Sequence, residues 1–159
     1  VPSVEGTRPI LVEIQSLVSP TGFGMPRRTA IGVDHNRLSL LVAVLEKIGG
    51  VHIGNHDIFI NVAGGIKVDE PAIDLGVVSS MASSFYDRPV LPGTVVFGEV
   101  GLTGEVRGIS QMDARIREAS RMGFSRCIMP RTAGREQLKI AGMKQIRISS
   151  IKELLEHLF

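Results

Sequence analysis

Apolar and polar positions alternate from Pro9 to Val18. Ile10, Val12, Ile14, Ser16 and Val18 fall on one side, and Leu11, Glu13, Gln15 and Leu17 on the other, so the spacing predicts a strand. Pro20, Gly22, Gly24 and Pro26 then punctuate a loop, and Arg28 to Val33 reads as the returning strand of a long hairpin. The period changes at Asp34. Leu38, Leu41, Val42, Leu45 and Ile48 make a helical stripe, with Asp34 or Asn36 as cap and Gly49-Gly50 as stop. Asp57 to Ala63 returns to strand spacing. Pro71 opens a second helix whose buried stripe is Ala72, Leu75, Val78 and Ala82.

Thr94 to Glu99 is the next expected strand. A near repeat of Gly98-Glu99-Val100-Gly101 and Gly104-Glu105-Val106-Arg107 flanks Leu102-Thr103 and predicts a tight hairpin. Ser110 and Asp113 have capping-box spacing for a third helix lined by Met112, Ile116 and Ala119, with Met122 near that face. Ser125 to Met129 and Gln145 to Ile148 are short strands joined by a basic loop, Arg131 to Gly142, with a helical turn expected around Glu136 to Ile140. Ser150 and Glu153 repeat the capping spacing before a last helix carrying Ile151, Leu154, Leu155 and Leu158. Strands alternating with helices predict an α/β (α+β) domain. Residues 1–8 read as a polar linker, and 9–159 as one domain.

Composition narrows the class. Of 159 residues, 43% are hydrophobic and 21% charged, which excludes general disorder. No apolar run reaches membrane-spanning length, so no membrane role is expected. The single cysteine, Cys127, excludes an internal disulfide and a cysteine-cluster metal site, and it suits a cytoplasmic protein.

Charge is segregated. Residues 1–104 hold seven basic and ten acidic side chains, and residues 105–159 hold eleven and six. Thirteen of the eighteen basic residues are arginine, whose planar fork of donors matches phosphate. Aromatic residues make up only 4%, which argues against base stacking and leaves backbone-directed binding of a polyanion. An ordinary solvated or intersubunit surface is the alternative reading of the same arginines.

Most other chemistry is absent. His35, His52, His56 and His157 do not converge in the pattern, so no metal site is expected. Cys127 lies inside an apolar strand and reads as a structural thiol. No Gly-x-x-x-x-Gly-Lys-Ser/Thr loop occurs, and Gly64-Gly65-Ile66-Lys67 lacks its length and its hydroxyl. Asp69, Glu70 and Asp74 cluster at a helix start; a paired-carboxylate site is one reading, and capping with a polar interface is the one expected. Ser79, Ser80, Ser83 and Ser84 lack an evident base; Lys67 is the only partner to suggest.

Asp69-Glu70-Pro71-Ala72-Ile73-Asp74-Leu75 and Phe97-Gly98-Glu99-Val100-Gly101-Leu102-Thr103-Gly104-Glu105-Val106 resemble the proteolytic domain of Lon-type proteases, over about residues 9–158. That family acts through a Ser–Lys dyad. Ala72 stands in the serine's place and Asp113 in the lysine's, so the resemblance implies a Lon-like fold that is catalytically inactive, with no enzyme activity in this chain. Thr7-Arg8-Pro9-Ile10-Leu11-Val12-Glu13-Ile14-Gln15, Gly32-Val33-Asp34-His35-Asn36-Arg37 and Val62-Ala63-Gly64-Gly65 are similar to the Lon-like module of a family of bacterial recombination and repair ATPases.

That resemblance implies a non-proteolytic scaffold that assembles a homo-hexameric ring and grips duplex DNA by its backbone. The implied DNA contacts are Arg27, Arg28, Arg107, Arg115, Arg117, Arg121 and Arg126. Arg37, inside its motif, is expected to support an interface. No cofactor is expected in this chain. ATP and Mg are assigned to a separate motor, and zinc to an N-terminal finger. A recombinase and other recombination proteins are the implied partners, in a nucleoid-associated cytoplasmic setting. The rival readings are a purely structural oligomerisation domain and a residual peptidase.

Overall fold

The computed structural model describes residues 1–22, 24–132 and 138–159. Its chain opens with a strand where a polar linker was expected: β1 (Pro2–Glu5) pairs antiparallel with β2 (Arg8–Leu11). The long alternating segment is broken at Val12-Glu13, after which β3 (Ile14–Pro20) begins.

The expected hairpin partner of β3 is not its neighbour. β4 (Arg28–Ile31) lies on the far side of β5 (His56–Val62), giving the order β3–β5–β4, with β3 antiparallel and β4 parallel to β5. β5 takes the centre because Ile58, Ile60 and Val62 are all fully buried on one face, whereas the flanking strands are half exposed. Between β4 and β5 runs α1 (His35–Lys47), whose N-terminus Asp34 caps by accepting the Arg37 N–H at 2.8 Å. A 3-10 turn at Pro71–Ile73 leads into α2 (Asp74–Tyr86). Ala72, Leu75, Val78 and Ala82 form the buried stripe that the spacing predicts.

The second sheet is entirely parallel: β6 (Thr94–Val96), β9 (Arg126–Pro130) and β10 (Lys144–Ile148), in the order β10–β9–β6. Between β6 and β9 come a two-stranded hairpin, β7 (Glu99–Val100) with β8 (Val106–Arg107), and α3 (Met112–Arg121). α4 (Ile151–Leu158) closes the chain, and Ser150 caps it by accepting the Glu153 N–H at 3.3 Å. Parallel pairing needs crossover connections and two covered faces, which is why β9 is a continuous apolar run. Val96, Ile128 and Ile148 face the main core with α1, α2 and α4. Val95, Phe97, Cys127 and Met129 face a smaller core with Met112, Ile116 and Ala119 of α3. The expectation of a Lon-type proteolytic fold is corrected here to an α/β domain built on this parallel sheet.

Three local expectations also change. α3 is preceded by Gln111 in left-handed conformation, with no side-chain cap, so the Ser110–Asp113 box does not form. Met122 is exposed rather than near the buried face. The turn expected around Glu136 to Ile140 lies partly outside the described residues.

Candidate functional site

Two ion pairs, each with one buried partner, tie together elements that carry the candidate arginines. Arg115 lies on the apolar stripe of α3, between Met112 and Ala119, and is 1% exposed. Its Nη1 and Nη2 donate to Glu70 Oε1 and Oε2 at 2.8 and 2.7 Å. Nη1 also reaches Pro2 O at 2.7 Å, and Nε reaches Ser110 O at 3.0 Å. Glu70 Oε1 accepts the Val4 N–H at 2.9 Å as well. Burial alone would raise the Glu70 carboxyl, but the donors from Arg115, Ser3 and Val4 hold it below the ordinary carboxylate range. One guanidinium thus ties α3, β1 and the turn before α2 together.

The second pair lies beneath the β7–β8 hairpin. Arg37 Nε donates to Asp74 Oδ1 at 3.0 Å, and its Nη2 reaches both Asp74 Oδ2 and, at 2.9 Å, Val100 O. The Val100 N–H returns a bond to Asp74 Oδ2 at 2.9 Å. Asp74 is fully buried, and that burial outweighs Arg37 and raises its carboxyl. Arg37 therefore clamps α1 to α2 and to the hairpin. Gly98, at φ +153, precedes the hairpin where a Cβ would lie 2.8 Å from Leu75 Cδ1 and 2.9 Å from Pro130 Cγ.

The seven arginines expected to face DNA do different things. Arg115 is the internal clamp and offers nothing to a ligand. Arg28 donates to His56 O and, at 2.8 Å, to Gly54 O, so it fastens the loop before β5. Arg126 donates to His157 O, and its Nε is buried without a partner among the described residues. Arg107 pairs with Glu105 at 2.5 Å and Glu99 at 3.5 Å. Arg121 pairs with Glu118 through two bonds of 2.6 and 3.0 Å. Arg27 and Arg117 are exposed, and among the described residues their guanidinium groups have no hydrogen-bond partner. Arg117 and Arg121 share the outer face of α3, while Arg27 stands at the entry to β4.

The other candidates are accounted for by the fold. Ala72 is buried and its carbonyl accepts the Gly98 N–H at 2.9 Å; Asp113 is exposed in the first turn of α3. Ser79 donates to Leu75 O, Ser80 to Val77 O and Ser83 to Arg88 O. Ser84 accepts from the Val18 N–H, and Lys67 pairs instead with Asp69 at 3.3 Å. Cys127 is buried, and that burial pushes its thiol up to about 12. Sequence reasoning missed both ion pairs. The signal for Arg115 was present: with Met112, Ile116 and Ala119 it sits at helical spacing on one stripe. Nothing local marks Glu70 or Asp74 as its own arginine's partner.

No helix among the described residues is long and apolar enough to cross a membrane. A model of the family described as subunit ChlI of Mg-chelatase matches residues 22–133. The chain is 54% identical over 153 residues to the DNA repair protein RadA of Bacillus subtilis, covering 96% of this chain and 33% of that protein. It is 60% identical over 130 residues to RadA of Halalkalibacterium halodurans, and 45% identical over 147 residues to RadA of Synechocystis. It spans about a third of the length of these curated relatives.

The ChlI match overturns several expectations. The identification as a Lon-protease-like module gives way to it, and the terms pseudo-protease and Lon-like go with that identification. A purely non-catalytic scaffold no longer describes the chain, because the matched family is a subunit of an enzyme. The absence of enzyme activity, and the assignment of ATP and Mg wholly to a separate motor, lose their ground for the same reason.

The described residues nevertheless do not fit a nucleotide's phosphates. Asp34 fills the N-terminus of α1 and Ser150 that of α4, the Leu75 N–H of α2 donates to Gly98 O, and α3 opens on the negative charge of Asp113. No group of three or more metal-ligating side chains occurs among them either. With the family model matching more than half of its length, the chain belongs to the family described as subunit ChlI of Mg-chelatase.

Proposed function

We propose that the chain is one module of a longer DNA repair protein of the RadA kind, and that the outer face of α3 meets DNA phosphates. What supports the repair role is the 54% identity to RadA over nearly the whole chain. What supports the contact is Arg117, which is exposed beside Arg121 and has no guanidinium partner among the described residues. The Arg121–Glu118 bond is a surface pair of small net worth, which a phosphate displaces at low cost. Arg27 is a further exposed cation with no guanidinium partner among the described residues, and Arg107, released from Glu105, adds another. Self-association into a closed ring of like subunits multiplies weak phosphate contacts into lasting attachment. Within the repair setting, a recombinase is the proposed protein partner.

Fluorescence anisotropy of a labelled duplex, titrated across salt concentrations, tests the contact. Affinity falls with salt, and removing one arginine–phosphate pair makes the slope of log affinity against log salt shallower by about 0.9. Arg117→Ala lowers the slope by one such step, and Arg27→Ala with it by two. A double variant with the parent's slope moves the phosphate-binding surface elsewhere, and a protein indifferent to duplex at low salt ends the reading.

A further inference from the structure

A groove of about 690 Å³ runs over α2, with β3 on one side and β6 on the other. Each of these strands is the edge of its sheet. The hydrogen-bond register decides which of their backbone groups are already used. The Ala63 N–H donates to Glu13 O at 2.9 Å. Antiparallel bonding recurs at every second residue, so Gln15 and Leu17 bond to β5, while Ile14 and Ser16 turn their N–H and C=O outward. On β6, the Phe97 N–H donates to Ile128 O and Gly93 O accepts from the Arg126 N–H. Val95 therefore bonds to β9, and Thr94 and Val96 face away from it. Ile14, Ser16, Thr94 and Val96 all line the groove, and the Thr94 hydroxyl is buried there without a partner among the described residues. Two strand edges with unspent donors and acceptors thus border one slot.

The first hairpin points to the occupant. Val1 and Val12 exchange both backbone bonds, at 2.7 and 2.8 Å. The line of β1, followed back past Val1, therefore runs beside Glu13 and Ile14 into the groove. Val1 already lines it and rests on Gly76, where a Cβ would lie 2.1 Å from Val1 Cγ2. At the far end, Ser84 Oγ accepts the Val18 N–H at 2.9 Å and stands in for a strand.

We propose that the groove takes an extended strand of polypeptide joined ahead of Val1, laid antiparallel to β3 and beside β6, so that one strand links the two sheets. In that register the second residue ahead of Val1 pairs with Ile14 and the fourth with Ser16. Side chains directed at α2 are small, because Gly76, Ser80 and Ser83 form the floor. Proteins of the relatives' length have the polypeptide to supply such a strand. The inference is independent of the DNA role.

The test compares the chain starting at Val1 with one carrying a short extension of alternating threonine and valine. Amide hydrogen exchange is read by NMR at Ile14, Ser16, Thr94 and Val96, with Val18 as an already bonded control. With the extension, the four amides slow by about tenfold or more. Proline at the second and fourth places ahead of Val1 abolishes that protection. Equal exchange in both forms overturns the proposal. Protection that appears in the unextended chain only as its concentration rises also overturns it, because the slot then belongs to a second copy.

Discussion

Arg115 shows how a charge is kept inside an apolar stripe. Its guanidinium donates to both oxygens of Glu70 and to the carbonyls of Pro2 and Ser110, so the charge is paired and most of its donors are used. Arg115→Ala leaves the Glu70 carboxylate without its cation and Pro2 and Ser110 without their donor. The expected loss is about 3–5 kcal/mol in urea unfolding. Arg115→Lys recovers only part, because an ammonium does not reproduce the two-pronged geometry.

The pair also sets an acid dependence. The Glu70 carboxyl is lower in the folded chain than in the unfolded one. Its contribution is therefore present at neutral pH and is lost as pH falls below the ordinary carboxylate value of about 4.3 and through the folded value. Asp74 works with the opposite sign, since its carboxyl is raised, and protonation relieves its burial. Stability measured from pH 7 to pH 3 therefore falls less steeply in Arg115→Ala than in the parent. An equally steep fall removes Glu70 from the account. The stripe of α3 made Arg115 legible in the sequence, but its partner lies 45 positions away, and only folding brings it near.

At the scale of elements, what could be read depended on whether the signal was local. Ser150 and Glu153 announce α4, and the cap forms as the spacing says. Ser110 and Asp113 have the same spacing and no cap forms. Gln111 instead takes φ 56, because the chain must turn from the β8 hairpin into a helix whose Arg115 is already fixed against Glu70. Two substitutions separate these cases by thermal unfolding. Ser150→Ala costs about 1 kcal/mol, the usual worth of an N-cap. Ser110→Ala costs a few tenths of a kcal/mol at most, about the scale of a surface change, because its hydroxyl caps nothing. Equal losses contradict this account of α3. β4 was the least legible strand for the same reason. Its length and alternation were readable, but its partner is decided by which strand buries most, and β5 with Ile58, Ile60 and Val62 displaces it from β3.

Across the whole molecule, the parallel sheet separates two cores of unequal size. The larger one joins both sheets with α1, α2 and α4. The smaller is covered over Val95, Phe97, Cys127 and Met129 by α3, with Leu11, Phe124, Ile140 and Met143 packed at its margin. A core covered by one ten-residue helix and the segments at its margin opens before one covered by three helices. Cys127 reports on that opening. Burial pushes its thiol up to about 12, so a disulfide reagent at mildly alkaline pH finds almost no thiolate in the folded chain. Ile116→Ala removes packing from the smaller core and Leu38→Ala from the larger, each at about 2–5 kcal/mol. In denaturant well below the global transition, Ile116→Ala labels faster than Leu38→Ala at matched overall stability, because α3 lifts while the β3–β5–β4 sheet stays closed. Equal labelling rates would mean that both cores open as one unit, and α3 would then be no weaker a cover than the helices on the other face.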